Sequence, residues 1–358
     1  MNPRLENTQE ARELSWTEVI KRYNHSSLKK SIWQLTSTLF LYVLTTTAMY
    51  FGLRISVWIP IALALPAAGF LVRIFIIFHD CGHGSYFLSQ KANDTIGIIT
   101  GILTFTPYYH WHRLHRIHHE TAGNLDKRGS GDVWTATLEE WNLMSKWDRL
   151  KYRLYRNPIT MFGVGSLYMF VINNRFTKKG MDRKGRLSVY LVNVALFVIA
   201  IGMASLVGMK AFLLVQLSVI WVAGSIGLWL FYLQHQYDQV YWRKSSDWNY
   251  KNVALEGSSY FELPAFFRYF TGNIGFHHVH HLSPMIPNYN LARCHRENKL
   301  FSDIRPLTFL KSFRMLTLRL YDEKTKTIKS FREVRVFNHK GEEGCAKAHK
   351  YSALRAPS

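Results

Sequence analysis

Four long apolar stretches restrict what this sequence can fold into. They cover about residues 32–52, 57–78, 189–207 and 211–233. Each has roughly the 20 residues that an α-helix needs to cross a hydrocarbon core of about 30 Å. A short link at 53–56 and the turn Gly208–Lys210 join them in pairs. The pattern therefore predicts an all-α integral membrane protein with four transmembrane helices arranged as two hairpins.

Polar segments surround these stretches and suggest three parts of the chain. We expect an N-terminal segment at 1–30, a membrane domain at 31–335 and a polar tail at 336–358. The N-terminal segment lacks the apolar core of a cleavable signal peptide. Two weaker apolar pieces, Ile96–Pro107 and Ile159–Ile172, are short for a span, so we expect interfacial or re-entrant helices there.

The charge of the chain indicates its orientation in a membrane. Lys and Arg number 45 against 24 Asp and Glu, a formal net charge of +21. Segment 79–187 is rich in Lys and Arg, whereas the two short turns carry only Arg54 and Lys210. The positive-inside rule then places the termini and both large polar segments in the cytoplasm, with the protein in the cell membrane. No nucleic-acid-binding motif is present, and the three cysteines lack CxxC spacing, so nucleic acid and zinc–thiolate sites are not expected.

Histidines provide the chemical signal. Of the 16 histidines, 12 fall in four places: HDCGH at 79–83, HWHRLHRIHH at 110–119, His235, and HHVHH at 277–281. The spacings are i, i+4 in the first place and i, i+3, i+4 in the second and fourth. On a helix such residues share one face. At this histidine content a chance HxxHH is expected about 0.03 times per chain, yet two occur.

The ligand type limits the metal. Ligation by imidazole alone suits Fe, Cu, Zn or Ni. Eight histidines in the boxes plus His235 can supply two metals with about four ligands each, whereas zinc sites use three or four ligands in total. The Glu and ExxH motifs of soluble di-iron carboxylate bundles are not found. The residues thus predict a two-metal, histidine-ligated site at a membrane surface.

The same residues resemble the membrane fatty-acid desaturases. HDCGH, HRIHH and HHVHH match the three histidine boxes of that family, HxxxH, HxxHH and HxxHH. The segments RIFIIFHDCGHGS, YRLYRNP, GSIGLWLFYLQHQYD, ALEGSSY and TGNIGFHHVHHLSPMIPNY are similar to acyl-lipid desaturases of the bacillus type. The resemblance extends over about residues 30–335.

This resemblance implies a fold and an activity. Four transmembrane helices would lie under a cytoplasmic helical cap that carries two iron ions (Fe²⁺). The enzyme would use O2 and two electrons from ferredoxin or flavodoxin to place a cis double bond, at the delta-5 position, in an acyl chain of a membrane phospholipid. Carried over by position, the metal ligands would be His79, His83, His115, His118, His119, His277, His280 and His281, with His235 as an extra ligand.

Other residues have weaker assignments. Relatives hold an Asn four residues before the ligand that His235 matches, but this chain has Phe231. Asn273 is a substitute if the helix of the last box begins early enough to place it on the face of His277. Asp80 either orients a ligand imidazole or is only a helix-end residue. We expect His110 and His112 to be surface or supporting groups, and His278 to point off the ligand face. Ordinary solvated residues are expected at His25, His295, His339 and His349.

Competing functions remain open at this point. A lipid or alkane hydroxylase and a carotenoid oxygenase share the same boxes, and box spacing does not separate them from a desaturase. Metal transporters and bis-histidine haem cytochromes also carry histidine clusters. A transporter is expected to place its ligands inside the spans, and a haem needs only two axial ligands.

Overall fold

The computed structural model describes residues 16–129 and 132–334. This part of the chain is mainly helical. The helices are α1 (Trp16–Lys21), α2 (Leu28–Gly52), α3 (Trp58–His83), α4 (Gln90–Leu103), α5 (Tyr108–Thr121), α6 (Leu138–Leu143), α7 (Lys146–Tyr155), α8 (Gly165–Leu167), α9 (Arg183–Val207), α10 (Met209–His235), α11 (Tyr250–Glu256), α12 (Ala265–Phe270), α13 (His277–Leu282), α14 (Asn288–Glu297) and α15 (Phe309–Met315).

Within the described residues, three helices are long and apolar enough to cross a membrane: α3, α9 and α10. Each extends beyond the apolar stretch that predicted it. Helix α3 continues through five more residues to His83, and α10 ends at His235. His79 and His83 therefore form the last turns of α3 itself, directly after the apolar stretch 57–78.

Helix α2 has 25 residues but is less apolar than these three, because serine and threonine interrupt it. Their hydroxyls bond to carbonyls of the preceding turn: Thr38 to Gln34, Thr45 to Leu41 and Thr46 to Tyr42. Such bonds satisfy the hydroxyl within the helix. Many apolar side chains of α2 are exposed, among them Trp33 at 74% and Phe40 at 66%.

Helix α3 is the centre of the packing. It contacts α2, α4, α10 and α12, and its buried face carries Ala67, Ala68 and Gly69. A Cβ at Gly69 would lie 2.6 Å from the Phe270 ring, so only glycine admits α12 at this distance. A Cβ at Gly97 of α4 would likewise lie 2.2 Å from Tyr108. These close approaches bring α12 and α5 onto the core.

The two short apolar pieces are helical. Residues 96–103 of the first piece form the second half of α4, which begins earlier than expected, at Gln90, and ends at Leu103, before the end of that piece. The second is an irregular helix in which α8 lies between the π-helical turns Ile159–Val164 and Tyr168–Ile172. It packs along α10.

Short strands correct the expectation of an all-α fold. They are β1 (Ala136–Thr137), β2 (Tyr260–Glu262), β3 (Pro306–Thr308), β4 (Leu318–Asp322) and β5 (Thr327–Ser330). Strand β4 pairs with β1 in parallel and with β5 antiparallel, and β2 pairs with β3 in parallel. The two parallel ladders join segments that are far apart in the sequence, so no local pattern predicts them, whereas β4 and β5 form a hairpin.

Candidate metal centre

Four helices bring the predicted histidines together. His79 and His83 end α3, and His235 ends α10. The second box lies on α5 and the last box forms α13, and both are helical as their spacing predicts. The nine predicted ligand residues form two groups, within each of which the ligand atoms lie within 4.8 Å of one another. The five-histidine group is His79, His83, His115, His119 and His280, and the four-histidine group is His118, His235, His277 and His281.

The two groups lie side by side. His118 and His119 are neighbours on α5 but belong to different groups, as do His280 and His281 on α13. The rings of His119 and His281 stack across the boundary with their centroids 4.2 Å apart. Helices α5 and α13 therefore supply ligand atoms to both groups, α3 supplies only the first, and α10 supplies only the second.

The distances between ring nitrogens match a metal better than hydrogen bonding. His115 Nε2 lies 3.0 Å from His79 Nε2 and 3.1 Å from His119 Nε2, and His119 Nε2 lies 3.0 Å from His280 Nε2. One ring nitrogen offers a single in-plane direction, as an N–H or a lone pair. It cannot bond two such neighbours at once. Two nitrogens bound at about 2.1 Å to one ion at a right angle lie about 3.0 Å apart.

The four-histidine group repeats this arrangement. His235 Nε2 lies 3.0 Å from His118 Nε2 and 3.1 Å from His277 Nε2. His281 Nε2 is buried and has no hydrogen-bond partner, like His83 Nε2 in the other group. Buried nitrogens without partners are costly unless something else binds them. Both groups thus fit imidazole-bound metal ions.

Burial favours the neutral form of the six ligand imidazoles on α5 and α13. Desolvation, followed by the neighbouring histidines, holds the pKa of His115, His118 and His119 well below the usual value. The same causes lower the pKa of His277, His280 and His281. Neutral imidazole has the free lone pair that a metal requires.

Two ligands are oriented by a partner on the far side of the ring. His79 Nδ1 lies 3.0 Å from Asp80 Oδ1, and His235 Nδ1 lies 3.1 Å from the Gly257 carbonyl oxygen. An Nδ1–H donated to these acceptors leaves Nε2 unprotonated toward the centre. Of the two interpretations of Asp80, the geometry supports the orienting one.

Asp80 is itself held by residues that the sequence did not single out. Its Oδ2 accepts from the backbone N of Asn288 at 2.7 Å and from Asn288 Nδ2 at 2.8 Å. Asn288 Oδ1 in turn accepts from Gln34 Nε2 at 2.8 Å. The network joins α2, α3 and α14. Asn288 is the first residue of α14, directly after Pro287. This position predicts where the helix begins but gives no sign of a distant partner.

Two weaker assignments are wrong. Asn273 does not share a helical face with His277, because α13 begins at His277 and Asn273 has φ of +58°. Its Nδ2 donates to the Asn288 carbonyl instead. His295 is not an ordinary solvated residue, since its Nδ1 lies 2.9 Å from His278 Nε2. His278 itself lies outside both groups, as its position on the helix predicts.

Phe231 lies on α10, four residues before His235, and its side chain is next to the four-histidine group. Its ring centroid is 5.3 Å from that of His118 and 5.9 Å from that of His235. An apolar ring thus borders the four-histidine group at the position where a polar side chain was expected from relatives. His25, His110 and His112 lie outside both groups, and His339 and His349 lie outside the described residues.

Comparison with known proteins agrees with this geometry. The family model for fatty acid desaturase matches residues 56–309. The chain belongs to the fatty acid desaturase family. It is 43% identical over 319 residues to a fatty acid desaturase of Bacillus subtilis (strain 168), covering 89% of this chain and 91% of that protein.

More distant relatives of this desaturase come from a cyanobacterium. An sn-1 oleoyl-lipid 12-desaturase of Synechocystis is 27% identical over 63% of this chain and 64% of its own length. An sn-1 acyl-lipid omega-3 desaturase (ferredoxin) from the same organism is 28% identical over 62% of each chain. Family membership thus gives an oxidoreductase with apolar membrane helices and a histidine-rich centre.

Proposed function

We propose that this desaturase places a cis double bond in an acyl chain of a membrane phospholipid, using O2 and two external electrons. The observation that carries the proposal is the pair of adjacent histidine groups, which together use all nine predicted ligands. The bacillus-type resemblance favours the delta-5 position. The names of the cyanobacterial relatives support a lipid-linked acyl chain as the substrate.

The ligand set supports two iron ions. His79, His83, His115, His119 and His280 would hold one, and His118, His235, His277 and His281 the other. When bound, the irons supply the O2 chemistry that removes hydrogen from an unactivated methylene group, which no side chain can do by proton transfer. The acyl chain loses two hydrogens, and these combine with O2, two electrons and two protons to give two waters and the alkene.

The protein's own residues hold and protect this centre. Asp80 and the Gly257 carbonyl keep His79 and His235 in the tautomer that presents Nε2 inward. The rings of Trp111 and Phe231 border the two groups: Trp111 stacks on His115 at 4.4 Å between centroids, and Phe231 lies beside His118. Apolar rings at these places exclude water from the reacting region.

We further propose that α2 is the fourth span and that the histidine centre faces the cytoplasm of the cell membrane. The exposed apolar side chains of α2 suit lipid contact, and its hydroxyls are bonded within the helix. The loops α2–α3 and α9–α10 would then lie on the outer side. The basic segments between α3 and α9 lie on the inner side, as the positive-inside rule requires.

The decisive experiment is fatty-acid analysis in a bacterial host that has no desaturase. The gene is expressed with a ferredoxin, and phospholipid acyl chains are analysed by gas chromatography–mass spectrometry with location of double bonds. A new monounsaturated acid that is absent with His118→Ala supports the proposal, and its position tests delta-5. Hydroxylated acyl chains would show the hydroxylase reaction instead. Unchanged lipids, despite iron-loaded protein and reduced ferredoxin, would overturn the proposal.

A further inference from the structure

One histidine of the last box is left unused by the metal centre. His278 is fully buried, but it belongs to neither histidine group. Its Nε2 lies 2.9 Å from Nδ1 of His295 on α14. Because His278 is joined to His277 by a peptide bond, this contact links α14 directly to a member of the four-histidine group.

The His295 end of this link reaches the protein surface. His295 is half-buried and lies among aromatic rings, with centroid distances of 4.5 Å to Tyr260, 5.2 Å to Phe276 and 5.7 Å to Phe301. Tyr260 is also partly exposed and stacks on Phe276 at 5.0 Å. Packed aromatic rings therefore connect the surface with His295, and the hydrogen bond between His295 and His278 continues this connection to the buried His278.

Arginines frame this surface. Arg296 follows His295 and is exposed, and Arg305 is exposed next to Pro306, the register partner of Tyr260. Burial and then Glu262 raise the pKa of Tyr260, whereas Arg268 and Arg296 oppose the shift. Both arginines therefore lie close enough to Tyr260 for their charge to affect it. The exposed acids in the same segments are Glu262, Asp303 and Glu297, and Glu297 is paired with Arg293 on its own helix. The face formed by Tyr260, His295, Arg268, Arg296 and Arg305, called the arginine face below, is thus positive on balance.

Electrons tunnel best through bonded and hydrogen-bonded atoms, and the rate falls steeply with each gap. A donor on the arginine face would need only the His295–His278 contact and one peptide linkage to reach His277. A positive face also attracts a negative partner and orients it.

We propose that the arginine face docks a small acidic one-electron carrier protein, whose electrons enter the four-histidine group through His295 and His278. The inference rests on the proposed function, which requires two external electrons for each double bond. Two reduced carriers bind in turn, each is oxidised by one electron, and the two electrons are consumed with O2 as balanced above.

The test compares two reductants on purified, iron-loaded protein. Reduced [2Fe–2S] ferredoxin tests the docking route, and dithionite with methyl viologen bypasses it. Ferredoxin oxidation is followed by stopped-flow absorbance, and ferredoxin binding is measured separately. We expect Arg296→Glu to weaken binding about tenfold at low salt, with a smaller effect at high salt as screening predicts. Lys151→Glu on α7, which makes the same change of charge on an exposed remote residue, is the matched control.

The path itself is tested at His295. We expect His295→Leu to bind ferredoxin normally but to slow its oxidation at least tenfold at saturation. His295→Gln, which can still hydrogen-bond to His278, should recover most of the rate. Double-bond formation with viologen should stay within about twofold of wild type in all variants, and iron content should be unchanged.

The outcomes separate the two proposals. Equal ferredoxin binding and oxidation in wild type, Arg296→Glu and His295→Leu would overturn the arginine face as the entry point. A wild-type protein that forms no double bond even with the viologen system would instead overturn the proposed function. Loss of rate with ferredoxin but not with viologen supports both.

Discussion

The contact between Asp80 and His79 leads to a quantitative prediction for Asp80→Asn. The wild-type carboxylate accepts from His79 Nδ1 with one oxygen and from Asn288 with the other. An amide has only one oxygen. If that oxygen faces Asn288, the amide NH2 faces His79 Nδ1, which must then be unprotonated. The proton moves to Nε2, and His79 cannot bind a metal.

The opposite orientation of the amide is also costly. Its NH2 then faces the backbone N–H of Asn288, a buried donor against a buried donor, at about 1–3 kcal/mol for the lost partner. Changes to residues that support metal ligands typically reduce metal affinity about 10–100-fold, which is about 1.4–2.8 kcal/mol. We therefore expect Asp80→Asn to lose iron from the five-histidine group by about this factor.

The assay is iron content by mass spectrometry after dialysis against graded chelator, in detergent-purified protein. Asp94→Asn is the matched control, because Asp94 hydrogen-bonds Tyr108, Tyr109 and Gln90. Its amide variant should retain wild-type iron. If Asp80→Asn held two irons per chain at the same chelator concentration as wild type, the orienting role of Asp80 would be refuted.

Three further predictions follow from the structure. Removing metal should lower the melting temperature, and Fe²⁺ at about 100 times its Kd should return roughly 2.7 kcal/mol of stability for each occupied site, measurable by thermal unfolding in detergent. Equal stability with and without iron would contradict the fit of the two groups to metal. Arg156→Met should cost about 1–3 kcal/mol, because the buried guanidinium donates to Thr135 Oγ1 at 2.7 Å and Gln236 Oε1 at 3.0 Å and its loss leaves these acceptors without a donor; the same melting assay would show little change if these bonds were unimportant. Phe231→Ala should raise the O2 consumed per double bond by opening the four-histidine group to water, and oxygen-electrode and lipid measurements giving an unchanged ratio would exclude that role.

The long apolar helices and the helix faces that carry the histidines were predictable from the sequence. The apolar stretches gave the helices α2, α3, α9 and α10, because crossing length is a local property of about 20 residues. The i, i+3, i+4 spacing gave the shared faces of α5 and α13, because helix geometry converts spacing directly into direction.

Long-range pairings were not predictable in the same way. Asp80 and Asn288 are separated by 208 positions, and His278 meets His295 only because α13 packs against α14. The division of the nine histidines into five and four also depends on helix packing, since adjacent residues such as His118 and His119 belong to different groups. The fully buried Arg156 gave no local signal, because nothing in its neighbourhood in the sequence marks it as interior.

The sharing of α5 and α13 between the two groups has a consequence for how the protein is made. During synthesis, HDCGH leaves the ribosome long before HHVHH. Neither histidine group is complete without α13, which contributes His280 to one and His277 and His281 to the other. In the proposed two-iron enzyme, iron binding would therefore be a late event that requires nearly the whole region 31–335. A chain truncated before residue 277 would keep the three helices that are long and apolar enough to cross a membrane, yet it would hold neither complete group. Iron occupancy, more than membrane insertion, thus reports whether a copy of this protein has been completed and correctly packed.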